Sequence, residues 1–218
     1  MTLITDPVRV PAAAEPTRFL AAVSRIDAAN GLDPTRIVVR GVEWPKELGH
    51  AELATQWVWR LRETEGTEPT EALLLAARAH HIERWQVPRE TYPDGRTGYL
   101  QWRTGLHRFH SDRAAAILRE SGYDDETVDA VSRVIRKERP RANRDSQALE
   151  DALCLVFLET QLELDWERID DDKMVAVLRK TWRKMSAAGR DAALALDLGE
   201  RARAIVARAL GAAPSALE

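Results

Sequence analysis

Residues 74–85 read LLAARAHHIERW, an apolar, helix-forming run closed by two adjacent histidines. Imidazole is a poor core filler, because each ring carries a donor and an acceptor that need partners. It is a good metal ligand and proton carrier. The chain has five histidines, His50, His80, His81, His107 and His110, and none lies in its second half beyond residue 110. His107 and His110, three apart in GLHRFH, share a helix face. A second feature is QALEDALCLVFLE, where Glu150 and Asp151 interrupt an apolar run. One of these carboxylates must point toward the buried side, and a buried acid needs a partner. Imidazole and carboxylate converging from several helices of a bundle are a common way to hold a metal. The residues expected to do so are His50, His80 and Asp151, with His81, His107 and His110 as further candidates. Neighbouring helical residues point about 100° apart. On a helix, His80 and His81 would therefore serve two metals, or one would ligate while the other orients a substrate or a water.

The elements that must position these groups are helical almost throughout. The 218 residues are 44% hydrophobic and 31% charged, ordinary for a globular chain. TRFLAAVSRIDAAN, PKELGHAELATQWVWRLRET and EPTEALLLAARAHHIERW each repeat apolar residues at three and four. QVPRETYPDGRTG then reads as a turn-rich loop. After it come a long helix from YLQW, whole or broken near Gly105, and DDETVDAVSRVIRKE, with acids first and bases last. SQALEDALCLVFLETQLEL, DKMVAVLRKTWRKMS and GERARAIVARALG complete the chain. RIVVRG is the one strand-like stretch, too short to predict a sheet. The expected architecture is all-α, a single-domain orthogonal helical bundle over 16–196, with a flexible tip at 1–15 and a helical appendage at 197–218.

Formal charge is −3 with a pI near 6.0, so no basic field favours nucleic acid. No apolar stretch approaches the roughly 20 residues of a membrane span, and the N-terminus lacks a secretory pattern. The single cysteine, Cys154, sits between apolar neighbours, reads as a buried small hydrophobe and forms no internal disulfide. These features predict a cytoplasmic location. KMS at residues 184–186 matches a nucleotide-binding string of class I aminoacyl-tRNA synthetases, but the parallel α/β context that the string needs is missing.

The order His50, then His80-His81 in AHHI, then Asp151 in LEDA resembles the HD superfamily of metal-dependent phosphohydrolases. In that family an Asp follows the second His; here His81 stands in its place. His107 and His110 fall where some two-metal members carry extra histidines. The strings AARAHHIERW, PRETYPDGRTGYLQWR, LEDALCLVFLE and KTWRKMS are also similar to the domain of unknown function 4202, over roughly residues 17–196. The HD resemblance implies one or two divalent transition metals (Mn, Zn, Co or Fe) and hydrolysis of a small phosphorylated or anionic substrate, such as a nucleotide. A metal there would polarise the phosphate and acidify a bound water. Glu83 or Glu150 is the expected proton acceptor, and Arg84 or Arg103 the group that meets developing negative charge. Arg89, Arg96 and Tyr99, in and beside the loop between the His-bearing helices, are expected to bind the anion, with Lys180 and Lys184 adding to them. Two rival readings follow from the same residues. A nitrogen-rich set suits a dinuclear iron oxygenase on the same scaffold. A non-catalytic helical binding module would use the histidines as polar core groups.

Overall fold

The computed structural model describes residues 7–138, 143–162 and 170–211. They form an all-α protein whose one sheet is a two-stranded hairpin. The helices are α1 (Pro16–Asn30), α2 (Lys46–Thr64), α3 (Glu71–Ala79), α4 (Gly95–Glu120), α5 (Asp125–Ile135), α6 (Arg144–Thr160), α7 (Asp171–Lys184), α8 (Ala187–Leu194) and α9 (Glu200–Leu210). The hairpin strands are β1 (Arg36–Val39) and β2 (Val42–Pro45). Two compact units result, residues 1–149 and 150–218, with α6 running across the boundary. Among the described residues no helix is long and apolar enough to cross a membrane.

In the first unit α3 is the central element. Its EALLLAARA sequence is apolar on every side, and Leu73, Leu74, Leu75, Ala76, Ala77 and Ala79 are all buried. A helix apolar all round belongs inside, and α3 packs against α1, α2, α4 and α5. Its one arginine, Arg78, is buried as well. Its guanidinium bonds both carboxylate oxygens of Asp27 on α1, at 2.5 and 2.6 Å, and pairs with Glu52 on α2. The second unit packs α7 against α9 around Met174, Leu178, Ala202 and Ile205.

Local chemistry explains where elements begin and end. Thr70 caps α3, and Asp124, Asp170 and Ser186 cap α5, α7 and α8, each side chain accepting a backbone N–H of the first turn. RIVVRG does pair, with VEWP, in the register Val39↔Val42. The two-residue turn between them, Arg40 and Gly41, has φ of +50° and +80°, the left-handed geometry that matches strand twist in tight hairpins. Cys154 is buried, as expected. Of the segment read as the N-terminal tip, residues 1–6 lie outside the described residues. From residue 7 on the chain is held: Arg9 lies 3.9 Å over the Trp59 ring and bonds Glu63. Residues 139–142 of the link before α6, residues 163–164 at the end of LETQLEL, and the last seven of the C-terminal segment also lie outside them.

Besides the hairpin, three elements differ from expectation. The helix α8, in AAGRDAAL, was not anticipated. The turn-rich loop is shorter than read, because α4 starts at Gly95 and runs unbroken through Gly105. Gly98 and Gly105 sit in this helix because the loop packs on them. A β-carbon at Gly98 would run into the Pro93 carbonyl, and one at Gly105 would stand 3.1 Å from the Tyr92 hydroxyl. Tertiary approach overrides glycine's poor helix propensity here. Gly98→Ala should therefore lower stability by about 1–3 kcal/mol, the usual range for overpacking, despite the better helix former. Thermal unfolding of the variant checks this; an unchanged or raised Tm would contradict the contact.

Third, α3 stops at Ala79. His80 and His81 lie in the turn that follows rather than on the helix, and this changes what they can reach.

Candidate functional site

The site is built from three segments of the first unit. The first is the opening turn of α2. Asp33, buried, accepts the backbone N–H groups of Thr35 and Glu47 and so pins this turn to the loop before the hairpin. Glu47 and His50, one turn apart, are thereby fixed inside, at 4% and 3% exposure. A carboxylate in a helix's first turn is favoured by the helix dipole.

The second segment is the turn after α3. Asn30, buried at the end of α1, grips it twice: its Nδ2 donates to the Arg78 carbonyl, and its Oδ1 faces the Glu83 N–H at 3.4 Å. Glu83 sits at φ +52°, a left-handed conformation uncommon for glutamate and sustained by its surroundings. Its carboxylate is bonded through both oxygens to Arg113 of α4, at 2.5 and 3.0 Å. Because the backbone leaves the helix here, the rings of His80 and His81 come to 4.3 Å between centroids instead of diverging. The third segment is the middle of α4, which brings His110 to 5.6 Å from His81.

These segments assemble one cluster of His50, His80, His81, His110 and Glu47. The Nδ1 atoms of His50 and His81 stand 3.9 and 3.5 Å from Glu47 Oε2. His80 Nδ1 donates to the Ala77 carbonyl at 2.7 Å, and His110 Nδ1 to the Ile82 carbonyl at 2.9 Å. Since a carbonyl only accepts, both protons are on Nδ1 and each Nε2 keeps its lone pair. His110 Nε2 and Glu47 Oε2 are buried with no hydrogen-bond partner. His81 forms the outer wall, its Nε2 accepting from Arg84 Nη1 at 3.2 Å while the Arg84 guanidinium lies 5.0 Å from the Trp102 ring centre.

Burial is the main influence on the imidazoles. It pushes His81 and His110 down to about 3, and His80 well below the ordinary value, so all three are uncharged at neutral pH. At Glu47 burial acts upward, but the imidazoles of His50 and His81 outweigh it and hold the carboxyl well below its usual range. The stability consequence has a definite sign. An unfolded histidine takes up a proton near pH 6.5, whereas native His110 does so only near 3. Between these values the unfolded chain binds more protons. Stability is thus full above about pH 6.5 and falls as the pH drops toward 3, by about 1.4 kcal/mol per pH unit from a fully buried histidine. Urea denaturation of metal-free protein at about pH 6.5 and 5 should show a loss of roughly 2 kcal/mol or more; a flat profile would contradict the buried, neutral cluster.

The other expected site residues are placed as follows. His107 is half-buried on α4, three residues before His110. Arg89 staples the loop by donating to the carbonyls of Tyr92, Pro93 and Gly95. Arg96 and Arg103 are exposed on α4, as is Tyr99, whose ring is 6.0 Å from Trp102. In the second unit both Asp151 oxygens accept from Ser186, its N–H at 2.8 Å and its hydroxyl at 2.5 Å. Gly189 leaves room for this carboxylate, since a β-carbon there would meet Asp151 Oδ1 at 2.7 Å. Lys184 reaches Glu150 at 3.4 Å, and Lys180 is exposed on α7. Glu47 is the member that sequence reasoning missed. Its one signal was the three-residue spacing to His50 in ELGH. Among the described residues no group of three or more His, Cys, Asp or Glu side chains is already spaced to hold a metal ion.

Fold and cluster together define an all-α protein with histidines from three segments gathered around a buried carboxylate. Residues 20–206 match the family described as Domain of unknown function (DUF4202), and the chain belongs to that family. No curated protein and no solved structure matches it.

Proposed function

We propose that the histidine cluster binds a divalent transition metal and that the protein hydrolyses a small phosphorylated substrate there. The observation that carries this reading is the state of His110. Its Nδ1 is tied to the Ile82 carbonyl, and its Nε2 lone pair is buried with no partner. Leaving such an atom unmet costs about 1–3 kcal/mol, a cost that a purely structural histidine has no reason to keep. Metal-ligating histidines are commonly oriented in this way, by a hydrogen bond from the other ring nitrogen.

The donor set fits the group: imidazoles suit Mn, Zn, Co and Fe, and burial keeps His80 and His110 neutral, the form that ligates. His50, His80 and His110 would hold the ion, with the side chains closing on it from their present spacing. Bound there, a divalent metal supplies Lewis acidity toward a phosphate oxygen and acidifies a water. The chain's own residues do the rest. Arg84, which lies between His81 and Trp102, would supply the positive charge that meets a substrate phosphate. Glu83 fixes the histidine turn through Arg113.

The test is a panel of phosphate monoesters, nucleotides and phosphorylated sugars, assayed with metal-free protein and after adding manganese, cobalt or zinc. Metal-dependent phosphate release, reversed by chelator and reduced by Arg84→Ala, is expected. No release from any substrate with any metal would overturn the reading.

A further inference from the structure

We propose that Glu47 is the carboxylate ligand of this metal site, completing with His50 a ligand pair on one turn of α2. The proposal deepens the reading above and rests on it. Four observations carry it. Glu47 is 4% exposed, so its charge lies away from water. Its Oε2 has no hydrogen-bond partner. That oxygen faces imidazole nitrogens from two different segments, His50 Nδ1 at 3.9 Å and His81 Nδ1 at 3.5 Å. Finally, the chain takes care to place it: Asp33 accepts the Glu47 N–H and locks the turn on which it stands.

A buried carboxylate needs a proton, a cation or a set of hydrogen-bond donors. Among the described residues no lysine or arginine pairs with Glu47; the groups facing its Oε2 are the imidazoles of His50 and His81. Other buried acids of this unit are treated differently. Glu52 is matched to Arg78 and Glu83 to Arg113, while both oxygens of Asp33 accept backbone N–H groups. Of these four, Glu47 is the one with a buried carboxylate oxygen that has no hydrogen-bond partner. A divalent cation supplies the missing positive charge, and a carboxylate with neutral imidazoles is a donor set that divalent transition metals accept. His81 is then left as a flanking group, held by Arg84.

The experiment is a cobalt(II) titration of metal-free, untagged wild type, Glu47→Gln and Glu47→Asp. Visible absorption reads the ligand field, and calorimetry reads affinity and stoichiometry. Wild type should bind cobalt with a visible band. Glu47→Gln, which keeps the shape and removes the charge, should bind at least about 100-fold more weakly, beyond the roughly 10- to 100-fold seen when only a partner of a ligand is lost. Its circular dichroism should be unchanged. Wild-type affinity in Glu47→Gln would overturn the assignment and leave the histidine site standing. No cobalt bound by wild type would overturn both. Should Glu47→Gln fail to fold, Glu47→Asp decides: its carboxylate is drawn back by one methylene, and at least tenfold weaker binding is expected, whereas unchanged affinity would overturn the role.

Discussion

Replacing Arg78 by methionine should destabilise the first unit by about 3–5 kcal/mol, the usual cost of breaking a buried ion pair from one side. Methionine keeps most of the volume of the stem, so the loss reports charge rather than a cavity. Arg78 is 4% exposed, and its guanidinium joins Asp27 of α1 and Glu52 of α2 to the central helix. Without it Glu52, whose carboxyl burial already pushes upward, is left without its cation. The effect should reach the site as well. The Arg78 carbonyl is one of the two points at which Asn30 grips the turn carrying His80 and His81. Urea denaturation measures the stability change, and a loss under about 1 kcal/mol would show that this triad behaves like a surface pair.

His110→Ala should have the opposite profile: a large functional loss with little cost in stability. The substitution removes one hydrogen bond to the Ile82 carbonyl, worth about 1 kcal/mol, and a cavity adds to that cost. It also removes an unmet buried nitrogen whose penalty is about 1–3 kcal/mol, so the terms largely offset. The net change should stay within roughly 2 kcal/mol, at the ordinary centre of point-mutant effects. Metal affinity should fall by at least about 100-fold and phosphate release with it. A variant that lost several kcal/mol of stability yet kept metal and activity would make His110 a core polar group. The two substitutions separate what holds the fold from what the fold holds.

Much of this was legible in the sequence, for identifiable reasons. Apolar spacing of three and four located most of the helices. The acids-first, bases-last order of DDETVDAVSRVIRKE marked another. Expectation failed where tertiary contact outweighs local preference. Gly98 read as part of the turn-rich loop, and Gly105 left the helix either whole or broken; Pro93 and Tyr92 pack against these two glycines, and α4 runs through both. The hairpin was invisible because four-residue strands carry almost no periodicity, and its turn geometry at Arg40-Gly41 is the better signal. Four histidines of the site could be named in advance, because imidazole in an apolar run is conspicuous. Their geometry could not, since it depends on α3 ending at Ala79, one residue before the pair. Glu47 escaped notice for the opposite reason: a glutamate in a helix's first turn is ordinary, and only packing reveals that this one is buried and unpartnered.

The central claim is that the cluster around His110 is a metal site, and the most direct test is elemental analysis. Protein purified without a metal-affinity tag, as wild type and His80→Ala, would be measured by plasma mass spectrometry before and after exposure to manganese, cobalt, zinc and iron. The account predicts bound transition metal near stoichiometry in wild type and its loss in the variant, with both proteins folded. No retained metal in wild type under any of these conditions would contradict it and leave the histidines as polar groups of a helical core.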